Sequence, residues 1–250
     1  SGGEWLAGLG VKIGILDSGI DSSHPGFQDP SLPVLPGYPM VNDPVDLPRT
    51  NNKILVVRNY EILSGLSDRN GGDQQGHGTA VAMVAAGARH MSPLGPISGV
   101  APKAYIGSYK VFPGTAERTS SDVVVKAYDD AVRDGMNVIK VSLGWSGAPR
   151  PRDSLLAEMV ERAGALGIVT VVSAGNSGPS ANTIGSAAVG PAAIAVGAIV
   201  NARTRSTTVT VGGTQFVSIP GNGSNQTNVS APMVDVTTLD PTGLACDTLP

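Results

Sequence analysis

Ala104–Val111 (AYIGSYKV), Ser121–Asp134 (SDVVVKAYDDAVRD), Asn137–Leu143 (NVIKVSL), Ser154–Leu166 (SLLAEMVERAGAL) and Ile168–Ser173 (IVTVVS) follow one another in one continuous stretch. The odd members are short and β-rich, and several are apolar on both faces. The even members carry helical spacing, with Val124, Ala127, Tyr128 and Ala131 on one side of the first. Strands that alternate with helices in this way predict a parallel sheet covered on both faces. Gly167 stands where a helix C-cap is expected.

The same pattern extends outward. Val11–Leu16 (VKIGIL) reads as a strand ending in the turn Asp17-Ser-Gly, Ile54–Val57 as a short strand, and Ala193–Val200 as another. Gly78–Arg89 is small and apolar, a buried helix with His77 at its N-terminal end. Residues 21–52, with seven prolines, and residues 64–76 read as loops. Residues 206–218 (STTVTVGGTQFVS) predict a hairpin turning at Gly212-Gly213, followed by an Asn/Gly/Ser-rich loop.

Composition narrows the function classes. The 250 residues include 33 Gly, 19 Pro, three His and a single Cys, with a net charge of −3 and a hydrophobic fraction of 41%. One Cys excludes an internal disulfide framework and a Cys-based zinc cluster. His24, His77 and His90 cannot form an HExxH helix. The absence of a Lys/Arg run argues against a nucleic-acid platform. No apolar stretch reaches the roughly 18 residues of a membrane span, and Ser1-Gly2-Gly3 does not read as the start of a signal peptide. Gly8-Leu-Gly10 precedes its strand instead of following it, which disfavours a phosphate-cradling turn.

In open parallel sheets, ligands and reacting groups gather beyond the carboxyl ends of the strands. Asp17 ends the first strand, His77 opens a helix, and Asn176 follows the strand 168–173. A carboxylate, an imidazole and an amide donor suit acyl transfer: orienter, general base and oxyanion stabiliser. A histidine at a helix N-terminus is favoured in the neutral form a base requires. Taken singly, each of the three is as well explained as a turn or capping residue.

The surrounding strings change that balance. Asp17-Ser-Gly-Ile-Asp-Ser-Ser-His-Pro25, Gly76-His-Gly-Thr79 extended by Ala80-Val-Ala82, Ser142-Leu143-Gly144 and Ser173-Ala174-Gly175-Asn176 resemble, in order, four motifs of the subtilisin-like serine proteases. The resemblance covers roughly residues 5–200. It implies a three-layer α/β fold with a central, mainly parallel sheet and helices on both faces, incomplete in this chain. It implies Asp17 as imidazole orienter, His77 as general acid/base and Asn176 as oxyanion donor. Ser142, Leu143 and Gly144 would pair with substrate backbone, and Ser173, Ala174 and Gly175 would line the pocket wall. Polypeptide substrates, a propeptide and an extracellular or cell-envelope location are implied in the same way.

Several positions depart from the family pattern. Ala80 and Met83 replace the usual His and Gly, and Asn137 and Lys140 replace Asp and Asn. Lys140 is expected to form a salt bridge or to shift a local loop. The loop that supplies a calcium site in the family reads Arg89-His-Met-Ser-Pro-Leu-Gly-Pro96, without carboxylate or Asn, so neither a cofactor nor a strong calcium site is expected. Asp68 and Asp73 read as loop-solvating residues before cation ligands. No serine lies in a Gly-Thr-Ser-Met-Ala-like motif, and Ser230-Ala-Pro232 is a poor echo of one.

Residues 199–218 resemble what precedes the inserted protease-associated domain of one subtilase branch, in which the nucleophile follows the insert. Residues 1–200 are therefore expected to be the amino-terminal part of a catalytic core. Residues 201–250 would be a hairpin and linker leading to an absent insert and to the remainder of the parent chain. The alternatives are a non-catalytic peptide-binding scaffold or an inactive fragment. Asn222, Asn225 and Asn228 open N-x-S/T sequons, and Cys246 reads as a lone thiol.

Overall fold

The structure, a computed structural model, describes residues 3, 6–65, 69–93, 95–116, 118–145, 150–199, 207–218, 230, 232 and 235–238. Asp68, the three sequons and Cys246 lie outside them. Two units are compact by themselves, Ser1–Ala198 and Ile199–Pro250.

In the first unit the strands are β1 (Lys12–Asp17), β2 (Met40–Val41), β3 (Ile54–Asn59), β4 (His90–Ser92), β5 (Gly95–Ile97), β6 (Tyr105–Lys110), β7 (Val138–Val141), β8 (Val169–Ser173) and β9 (Ala193–Val196). Seven of them form one sheet in the order β2-β3-β6-β1-β7-β8-β9, every neighbouring pair parallel. The predicted alternation thus becomes a parallel sheet with β1 at its centre. Three helices cover it: α1 (His77–Ala86), α2 (Ser121–Arg133) and α3 (Leu155–Ala165).

The period-2 alternation of strand side chains sorts the core into two layers. Leu16, Tyr105, Tyr109, Ile139, Val141 and Val172 pack with Val124, Ala127 and Tyr128 of α2 and with Leu156 and Val160 of α3. Ile13, Ile15, Ile54, Val57 and Ile106 pack on the opposite face with Ala82 and Ala86 of α1. Small residues on α1 bring its backbone close to the sheet.

Helix ends follow local chemistry in two cases. Ser154 caps α3, its Oγ accepting from the Ala157 N–H at 3.2 Å. Gly167, just beyond the helix, takes a left-handed φ of +80°, as a C-cap glycine should. α1 stops three residues short of the expected Arg89 for a non-local reason. A Cβ on Gly99 would lie 2.4 Å from the Gly87 nitrogen, so a neighbouring segment occupies the path of a longer helix. The Arg89–Pro96 loop is in fact a small antiparallel hairpin, β4 with β5.

The far end of α2 is tied to the sheet by Asp134. Its carboxylate accepts two hydrogen bonds from the Arg58 guanidinium, at 2.7 and 2.6 Å, and one from the Tyr109 hydroxyl at 2.9 Å. This fork links α2 to β3 and β6 in a buried setting, where charge-assisted bidentate bonds are strong.

On the α1 side, the register carries the face of Ile15 to Lys140, Val171 and Ile194 in β7, β8 and β9. Val169, Ile194 and Val196 on this face are 44, 53 and 50% exposed. An all-parallel sheet is normally covered on both faces, and here that end of one face is open.

In the second unit, β10 (Thr207–Val211) and β11 (Thr214–Ser218) pair antiparallel through Gly212-Gly213. Both turn glycines have positive φ, +54° and +82°, as the tight two-residue turn requires.

Asp134→Ala should strand the Arg58 guanidinium and the Tyr109 hydroxyl, and lower the unfolding free energy by about 3 kcal/mol in urea titration, the scale expected for a broken buried pair. A loss below about 0.5 kcal/mol would show that the fork does not hold α2 to the sheet.

Candidate active site

Asp17 is the last residue of the central strand and is 1% exposed. Alternation from Ile13 and Ile15 turns its side chain toward α1. There its Oδ1 accepts from the Ser18 N–H at 2.7 Å and from Nδ1–H of His77, also at 2.7 Å. With Nδ1 donating, the Nε2 lone pair of His77 is free, and the His77 side chain is 57% exposed. The geometry is that of an imidazole held in one tautomer by a buried carboxylate while its other nitrogen faces outward.

Local sequence makes this approach possible. Gly76 takes φ +89° immediately before the helix. Gly78 admits no side chain, because a Cβ there would lie 2.2 Å from the Gly19 carbonyl. Ser18 Oγ accepts from the Gly78 N–H and donates to Asp73 Oδ1, both at 2.9 Å. Asp73 Oδ1 also accepts from the Gln75 and Gly76 N–H groups, and its Oδ2 from the Thr79 N–H and hydroxyl. Asp73 is therefore the anchor of the α1 start, where a loop-solvating role was expected, and its oxygens are engaged by protein donors. Partial burial alone would raise its pKa. The hydrogen bonds from Thr79, Gln75 and Gly76 together outweigh that effect and hold the carboxyl below the ordinary carboxylate range.

Next to this pair, past the ends of β7 and β8, lies a cleft of about 530 Å³. Of the residues singled out by the sequence, Ser142, Leu143, Gly144, Ser173, Gly175 and Asn176 line it. Ala174 does not. Its N–H donates to the Val196 carbonyl and its own carbonyl accepts from Gly185, so it braces the wall from behind. Asp17 and His77 stand outside the lining, at the end of the neighbouring strand β1. Sequence reading missed Phe112, Arg118, Thr119, Trp145, Ser177, Thr183 and Gly185, which complete the cleft from the loops after β6, β7 and β8. It also missed Ser18, since a Ser beside an Asp carries no motif of its own, and it gave Asp73 a loop-solvating role instead of the anchoring one. Among the described residues no group of three or more His, Cys, Asp or Glu converges as a metal site.

Lys140 forms no salt bridge among the described residues. Its ammonium donates to the Ser142 hydroxyl at 2.5 Å and to the Val141 carbonyl at 3.3 Å. Burial pushes it below the ordinary lysine range, while the nearby charge of Asp17 acts in the opposite sense.

The sequence model of the subtilase family matches residues 8–247. The chain belongs to the subtilase family. It is 33% identical to a subtilisin-like protease of Arabidopsis thaliana (SBT2.3) over 89% of its length, and 32% identical to subtilisin DY of Bacillus licheniformis over 86%. It spans 29% of the first relative and 65% of the second. Among solved structures it resembles sphericase, with a TM-score of 0.54 and 29% identity, and the S41 psychrophilic protease, with 0.52 and 27%. Each alignment covers 85% of this chain and 58% of the other. The three-layer subtilisin-like fold expected from the motifs is the fold of this chain.

Because the Asp73 carboxyl is held below its unfolded value, its stabilising effect is present above pH about 3.9 and is lost as pH falls through the lower folded value. Asp73→Asn should therefore lower the thermal midpoint at pH 7 and narrow the difference between pH 7 and pH 3. An unchanged profile would remove Asp73 as the anchor of α1.

Proposed function

We propose that this chain supplies the acid–base pair and the substrate cleft of a serine endopeptidase, with the nucleophilic serine on a segment outside these 250 residues. The observation that carries the reading is the hydrogen bond between buried Asp17 and half-exposed His77, which leaves Nε2 free to accept a proton.

In this reading Nε2 takes the proton of the attacking serine hydroxyl, and the imidazolium that forms is stabilised by Asp17. The same nitrogen then gives the proton to the leaving amine, and a water molecule repeats the cycle to release the acyl group. Asn176 donates its amide to the developing oxyanion from the cleft wall. Substrate lies extended beside Ser142–Gly144, adding a strand past the end of β7, with Ser173 and Gly175 on the opposite wall. The open face formed by Val169, Ile194 and Val196 supports a further covering element, and a helix carrying the nucleophile would bury it. An inserted domain before that helix and a secreted, zymogen-borne life follow from the same family likeness.

The decisive experiment compares this chain with the full-length protein. The chain alone should neither cleave peptides nor be labelled by a fluorophosphonate, and the full-length protein should do both. In the latter, His77→Ala should lower kcat/KM at least about 10³-fold with the fold retained. Asn176→Ala should lower kcat with little change in KM. Labelling of the isolated chain at any serine, or proteolysis surviving His77→Ala, would overturn the proposal.

A further inference from the structure

Lys140 occupies β7 in register with Ile15, so it shares the face from which Asp17 reaches His77. Two lysines flank Asp17 on neighbouring strands, and they differ in how they are neutralised. Lys110, the register partner of Asp17 on β6, is fully buried. It is spent on Glu61 at 2.8 Å, with further bonds to the Asn70 carbonyl and the Gln74 amide oxygen. Lys140 has no carboxylate in contact among the described residues, and Asp17 is the acidic group whose charge acts on it. Asp17 in turn keeps one buried oxygen, Oδ2, without a hydrogen-bond partner, Oδ1 having taken both donors.

We propose that Lys140 is a positioning residue of the candidate site: its ammonium offsets the charge of Asp17, which keeps His77 in the proton-accepting form, and it holds the Ser142 hydroxyl at the edge of the cleft. A carboxylate alone beside an imidazole favours the imidazolium. A second, partly buried cation on the same face opposes that effect, and partial burial reduces its screening by salt. Among the described residues, other charged groups on this side of the molecule are Asp73, Asp21 and Arg118. They keep their charges in every Lys140 variant and so do not alter the comparison; Asp73 is held by the α1 donors, Asp21 Oδ1 accepts from the Ser23 N–H and hydroxyl, and Arg118 lines the cleft.

The inference rests on the acid–base role proposed for His77, but its test reads electrostatics alone. Imidazole resonances of the isotope-labelled chain are followed by NMR against pH in Lys140→Met and Lys140→Gln, with His24 and His90 as internal references. Loss of the cation should move the His77 midpoint upward by about half a pH unit or more in both variants, and Lys140→Arg should restore it. Glutamine keeps a donor for Ser142 without the charge, so a shift confined to the methionine variant would assign the effect to packing and overturn the proposal. An unchanged or lowered midpoint in both would do the same.

Should the Lys140 variants fail to fold, the coupling is read from the other side. Asp17→Asn should lower the midpoint of the Lys140 side chain, and an unmoved midpoint would overturn the proposal. A chain that titrates as expected, in a full-length protein that cleaves nothing, would discredit the proteolytic reading and leave the coupling intact.

Discussion

A carboxylate buried to 1% exposure at the end of a central strand is the constraint around which this site is built. Taken out of water, Asp17 requires donors, and the fold supplies them from two directions. One is the backbone of Ser18 and the other is the imidazole at the head of α1. For the imidazole to arrive, the helix start must come within touching distance of the strand end, and that dictates the absence of a side chain at Gly78. Ser18 and Asp73 then fix the helix start in place. Remove the buried charge and none of these features has a reason to exist.

Much of this was legible in residue order. The runs around Ile106, Ile139 and Val172 are apolar on both faces, which only a doubly covered sheet uses. Val124, Ala127, Tyr128 and Ala131 repeat at helical spacing and pack against it. The strings around Asp17, His77 and Asn176 pointed to one edge of the sheet, and the first two meet there in a hydrogen bond. Some of what stayed hidden was set by contacts distant in sequence, and some by weak local signals. The end of α1 depends on Gly99 meeting Gly87, twelve residues away and outside any helical period. The hairpin at His90–Ile97 contains Pro96, which lowers its strand signal. Asp73 anchors α1 mainly through its near neighbours Gln75, Gly76 and Thr79, and the bond from Ser18, 55 residues earlier, ties that anchor to the end of β1.

Lys140 illustrates how a departure from a family pattern acquires meaning only in three dimensions. On paper it is a charge inside an apolar strand, a local conflict of the kind that marks functional sites. In the fold, its register opposite Ile15 aligns it with Asp17, and its contact with Ser142 brings it to the mouth of the cleft. The two lysines beside one aspartate are not redundant, because Glu61 neutralises the first.

The open face at β8 and β9 has a consequence for handling the protein. Among the described residues β9 is the last strand of the sheet, so one row of its backbone groups has no neighbouring strand there, and Ile194 and Val196 stand half-exposed beside that row. An apolar surface adjoining an open edge is a template on which a second chain can add strands. Colloidal behaviour is therefore tied to whatever covers this face.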